Sequence, residues 1–218
     1  MKKVSLAILA AALSSAAVLP VQAQEYMFTY SKLFSHMKQN AKEGHDDVKV
    51  GFFFLNADTK QLCDIEKAWM EKEEHYEEFD TSGYELKVPI DQNLKSANPL
   101  VFVRTEKDKR CDFSLVVMAK EQLSGSVKYE DIEKLLPQMQ VMLEDLGGMF
   151  ASWFTPDVEG VTLEFADSLN SEITLSNGKS VEIVNGRAYF ALNNLKKGES
   201  FTLPAQTTRV LPYLPKAD

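Results

Sequence analysis

Residues 61–79, QLCDIEKAWMEKEEHYEEF, decide between two folds because they satisfy two periods at once. Leu62, Ile65, Trp69, Tyr76 and Phe79 recur at helical spacing, and the many Glu and Lys are good helix formers. Cys63, Ile65, Lys67 and Trp69 alternate as strand residues do. What precedes the stretch favours the strand. Val48 to Leu55 is a short β-branched and aromatic run, and Asn56 to Lys60 has the composition of a hairpin loop, so a return would lay 61–79 beside it. Propensity alone is the weaker argument, since tertiary surroundings override it. With 61–79 in a sheet, the chain is mainly β with helices, an α+β fold.

Toward the N-terminus, Tyr30, Leu33, Phe34, Met37 and Ala41 predict one amphipathic helix over 29–43, with Thr29 at its start and Gly44 at its end. Toward the C-terminus, Gly83–Val88 alternates and is stopped by Pro89, while Pro99–Arg104 and Cys111–Met118 also read as strands, joined by a charged turn. From Tyr129 to Leu146 the period is helical again. Pro137 lacks an amide donor, so two short helices or one kinked helix are expected, with Pro137 in the first turn of the second piece. Beyond Pro156, short strands begin at Gly160, Glu172, Ser180, Ala188 and Ser200. Asn177-Gly178 and Asn185-Gly186 are two-residue hairpin signals. Pro212 and Pro215 place the tail at an edge or surface.

The expected organisation is therefore a helix and β-sandwich-like module over 24–126, a helical connector over 127–155 and a β-rich module over 156–218. Gly83–Lys95 and Gly186–Lys196 share a Gly, a strand-like run and Asn-Leu-Lys, an echo that either a duplication or coincidence explains.

Met1-Lys2-Lys3, the uncharged run Val4–Leu19 and the small residues Val21 and Ala23 form a secretory signal, with cleavage expected after Ala23. The destination is the periplasm, and no later stretch is apolar enough to span a bilayer. Losing Lys2 and Lys3 leaves 22 basic against 32 acidic side chains and moves the formal charge from −8 to −10. That balance argues against nucleic acid as a partner, because phosphate binding needs a basic surface. The two cysteines, Cys63 and Cys111, are expected to form a structural disulfide in an oxidising compartment; a redox pair is the competing reading, without C-x-x-C spacing to favour it.

No G-x-S-x-G or H-E-x-x-H occurs. Gly178-Lys179-Ser180 ends like a phosphate loop but has Ile173 where the first Gly belongs, and Asp91-Gln92-Asn93 opens like a calcium loop but has Lys95 at a ligand position. His45, Asp46, Asp47 and His75 are the candidate ligands for a divalent cation, with a solvated acidic loop as the plainer reading. Trp69, Tyr76 and Trp153 are candidate stacking residues for a ligand such as a sugar, although core building accounts for most aromatics.

Glu25–Leu33, Gly44–Gly51 and Ala68–Tyr76, with Asn98–Val101 and Cys111-Asp112, resemble an uncharacterised family of exported proteins of Gram-negative gammaproteobacteria. The resemblance implies a periplasmic location and a small soluble fold, and it carries no catalytic residues. Two functional readings follow. One is a periplasmic module that binds a protein or glycan of the cell envelope, needing neither cofactor nor reaction. The other is a metal-assisted envelope hydrolase using the His, Asp and Glu clusters.

Overall fold

The computed structural model describes residues 24–148 and 155–215, and the fold is mostly β with a central helical segment. Trp153 and the signal segment lie outside the described residues. The first half runs β1 (Glu25–Thr29), α1 (Tyr30–Met37), β2 (Val48–Asn56), β3 (Ile65–Lys72), β4 (His75–Glu78), α2 (Gln92–Ala97), β5 (Leu100–Thr105) and β6 (Cys111–Ala119). Strands β1, β5, β3 and β4 form one antiparallel sheet in that order, and β2 pairs with β6 in a second. The two layers meet through Tyr26 against Phe54, with ring centroids 4.7 Å apart, and Phe28 against Phe113, also 4.7 Å.

Residues 61–79 thus lie in a sheet, as alternation predicts, but as two strands, β3 and β4, that form a hairpin of their own. The partner differs from expectation: β3 pairs with β5, and the return beside β2 is limited to a bridge between Leu55 and Leu62 and a bond from Cys63 N–H to Phe54 O. The free edge of β2 is satisfied piecemeal. Asn40 bonds Val50 at both N–H and C=O, and the Leu86 N–H donates to Phe52 O at 2.9 Å.

The strand expected over 83–88 does not form, although the Leu86 N–H reaches Phe52 O. Gly83 and Tyr84 both sit in the left-handed region, at φ 77° and 65°, which turns the chain out of any ladder just before it. Leu86 and Val88 are still buried, so the alternation reflects burial without sheet pairing. The first helix is also shorter than expected, ending at Met37 and continuing as a 3-10 turn through Ala41. Asp91 is explained by α2: its carboxylate accepts from the N–H groups of Asn93 and Leu94 as a helix cap.

After β7 (Ser126–Lys128) come α3 (Tyr129–Glu133) and α4 (Leu135–Gly147), with Pro137 in the first turn of α4 where its missing N–H costs nothing. The last stretch comprises β8 (Gly160–Phe165), β9 (Ser171–Leu175), β10 (Ser180–Ile183), β11 (Arg187–Ala191), β12 (Ser200–Thr202) and β13 (Thr207–Tyr213). One sheet has the order β10-β9-β12-β7, the other β11-β8-β13. Phe190 and Phe201 join the two at 4.4 Å. Strands β1, β7 and β13 were not predicted; Pro212 in β13 is accommodated because that strand is at a sheet edge.

The two Asn-Gly turns differ. Asn185 and Gly186 both have positive φ and close a two-residue turn between Val184 and Arg187, whereas at 177–178 only Gly178 is left-handed and the loop is one residue longer. The echo segments also diverge, since 83–88 is irregular and 187–191 is β11.

The Cys63–Cys111 disulfide is formed, with Cα atoms 6.4 Å apart and both residues buried. One continuous hydrophobic cluster runs from Tyr30 and Phe54 through Met139 and Met142 to Phe190 and Val210, so both halves share a core.

Candidate functional site

Three consecutive phenylalanines in β2 need cover on both faces of the strand. Phe52 and Phe54 enter the core between the first two sheets, and Phe53 points the other way yet is equally buried. What covers it is Arg209 on β13, whose guanidinium lies 5.0 Å from the ring centre. The β2–β6 sheet and the β11-β8-β13 sheet therefore meet along a seam, and two cavities lie on it.

Glu164 organises the seam. Strand β8 is buried along its length, with Val161, Leu163 and Phe165 facing the core. Alternation then puts Gly160, Thr162 and Glu164 on the opposite face. Glu164 is only 6 % exposed, and a carboxylate that buried needs partners. Register supplies two: Arg187 stands directly opposite on β11 and Arg209 directly opposite on β13. A bulge at Thr208 sets the second pairing, re-aiming the strand so that Arg209 meets Glu164. Arg187 Nε donates to Glu164 Oε1 at 3.1 Å, and Arg209 Nη2 pairs with Oε2. Burial works against the Arg187 charge, but the hydrogen bond and the charge of Glu164 outweigh it and raise its pKa further.

Two cavities open beside this triad. One, of about 1090 Å³, is lined by Tyr84 and Gln61 from the first half and by Asn185, Arg187 and Tyr189 from the second. The other, of about 440 Å³, is lined by Lys49, Glu85, Lys120 and Val210. Gly83, Gln122, Thr208 and Arg209 line both, so the two form one cleft with Arg209 at the junction. Tyr189 is 57 % exposed and Tyr84 is 42 % exposed. Tyr84 holds its left-handed backbone at this position, a conformation that costs a bulky residue free energy and recurs at ligand sites.

The residues singled out in sequence lie elsewhere. His45 is buried below α4, with Nε2 3.7 Å from Asp145 Oδ2 and its Nδ1 without a hydrogen-bond partner among the described residues. Asp46 is exposed. Asp47 is tied to α4: Gln138 Nε2 donates to Oδ2 at 3.0 Å and Lys134 Nζ to Oδ1 at 3.0 Å. Those two bonds, the Gln138 one first, hold its carboxyl below the ordinary value. His75 is exposed at the start of β4. Among the described residues, the place where three His, Cys, Asp or Glu ligand atoms come within 4.8 Å of one another is Cys63, Glu106 and Cys111, whose thiols are consumed in the disulfide.

Trp69 and Tyr76 are brought near each other across the β3–β4 hairpin, with Lys67 Nζ 5.5 Å from the centre of each ring. Trp69 is nearly buried, stacked on Phe102 at 5.3 Å and covered by Arg104 as well, so its faces are taken. Tyr76 is exposed and donates to Glu78 at 2.5 Å.

Sequence reasoning missed the Glu164, Arg187 and Arg209 triad. A charge at the end of the apolar run Val161–Phe165 was the available signal, because a central strand buries it only against cross-strand cations.

Residues 22–165 match the family model described as "Protein of unknown function (DUF2987)". No curated protein and no solved structure matches.

Proposed function

This chain belongs to the DUF2987 family of proteins of unknown function, and we propose that it is an exported cell-envelope binding module that holds its ligand in the seam cleft without transforming it. The observation that carries the reading is the cleft itself: about 1090 Å³ in its larger lobe, walled by exposed tyrosines from both halves and floored by an ion triad fixed on the buried Glu164. Ligand sites combine such concavity with a few well-placed polar groups.

Export to the periplasm of a Gram-negative cell is supported by the signal-like segment over residues 1–23 and by the disulfide. It is supported as well by Gln24, the first residue that cleavage after Ala23 leaves. Its carbonyl accepts the Thr105 N–H at 3.1 Å and its side chain the Cys111 N–H at 3.1 Å, so the residue after the expected cleavage point is anchored beside the disulfide. No helix among the described residues is long and apolar enough to cross a membrane.

Oxidative footprinting of the protein in periplasmic extract and in plain buffer tests the site. Tyr76, Tyr84 and Tyr189 have similar exposure, so they label comparably in buffer. Protection of Tyr84 and Tyr189 in extract, with Tyr76 unprotected, is the expected pattern. Protection of Tyr76 alone would move the site to the outer face of the β3–β4 sheet. Intact mass of the same sample should begin at Gln24 and rise by about 2 Da on reduction.

A further inference from the structure

We propose that the ligand of the seam cleft is an acidic saccharide, gripped through a carboxylate by Arg187 and Arg209. This inference rests on the cleft being the binding site. The charge balance is its first ground. Six cationic side chains against five carboxylates line the cleft, in a chain that counts 24 against 32. The lining is therefore close to charge-balanced on an acidic protein, so an anion is repelled less there than over the rest of the surface.

The triad is the second ground. Two guanidiniums bring about ten N–H donors between them. Glu164 engages Nε and Nη2 of Arg187 and Nη2 of Arg209, and it supplies one negative charge for two positive ones. Glu164 thus fixes both guanidiniums while leaving the cluster one positive charge in excess. A planar carboxylate matches the guanidinium fork and balances that charge. Because Arg187 has its side chain 47 % exposed and faces the larger lobe, it is the residue that an arriving carboxylate meets.

The rest of the lining selects a sugar. Tyr189 and Tyr84 offer exposed rings for stacking on a pyranose face, and Tyr189 is braced by Tyr213 with ring centres 5.9 Å apart. Gln61, Gln122 and Asn185 add side-chain amides, which both donate to and accept from hydroxyl groups.

Calorimetric titration of the mature chain at low ionic strength, with four probes, decides the matter. Trigalacturonate should bind; maltotriose, inorganic phosphate and triglutamate should bind at least tenfold more weakly. Arg187→Gln should weaken trigalacturonate about tenfold or more, and added salt should weaken it in the wild type. Tyr189→Ser, at an exposed position, should weaken it without changing the melting temperature, and it serves as the second variant if Arg187→Gln does not fold. Equal affinity for maltotriose, sensitive to Tyr189→Ser but not to Arg187→Gln, overturns the carboxylate grip and leaves the cleft standing. Triglutamate or phosphate binding as well as trigalacturonate overturns the sugar. Binding of none of the four overturns the inference, while the footprint of Tyr84 and Tyr189 in extract reports on the cleft independently.

Discussion

Glu164 shows what a buried charge requires. Removing its carboxylate in Glu164→Ala leaves Arg209, which is almost fully enclosed, with no counter-charge, and the expected loss is about 3–5 kcal/mol in urea unfolding. A loss below about 1 kcal/mol would mean that water already solvates the triad. Asp47 gives a pH-dependent counterpart. Its carboxyl is held low by Gln138 and then Lys134, so the unfolded chain binds this proton at a higher pH than the folded one does. Stability from this site is therefore complete above the ordinary carboxylate pKa of about 4 and is lost as pH falls through the lowered value. Asp47→Asn should remove that part of the acid-side slope; urea midpoints measured through the acid range would show it as a flatter curve.

At the scale of elements, the β8–β11 ladder is closed around Gly160. A Cβ there would stand 2.0 Å from Phe190 O and 2.7 Å from Ala191 Cα, and both are backbone atoms that cannot swing away. Gly160→Ala is thus expected to part the two strands and to cost about 2 kcal/mol or more, since overpacking typically costs 1–3 kcal/mol. Gly186→Ala makes a gentler comparison. It adds a side chain at φ 75° with Phe165 O 2.9 Å away, and should cost about 1 kcal/mol or more. Thermal melts of the two variants should rank Gly160→Ala as the worse. The same ladder carries Arg187 and Tyr189, so parting it should also weaken whatever the cleft binds.

For the whole molecule, the disulfide joins Cys63, just before β3, to the first residue of β6, closing 49 residues into a loop. The chain-entropy argument assigns it about 4 kcal/mol, so the Cys63→Ser, Cys111→Ser double variant should lose about 2–5 kcal/mol of unfolding free energy. An unchanged urea midpoint would mean that the first two sheets hold together without it. By itself the sequence determined the β-rich class, a central helical stretch interrupted near Pro137, most strands of the second half and the pairing of its two cysteines. Each follows from local period, from a missing amide donor, or from there being only two thiols. Tertiary structure alone decided that β3 seeks β5 before β2, that residues 83–88 stay irregular, and that the last residues form β13. Those are choices among partners distant in the chain, and a strand's pattern states which face is buried but not which edge is taken. The candidate site is of the second kind throughout. Glu164, Arg187 and Arg209 are three charged residues among many until two registers and one bulge set them in a row, and Phe53 is merely another core residue until Arg209 lies across it.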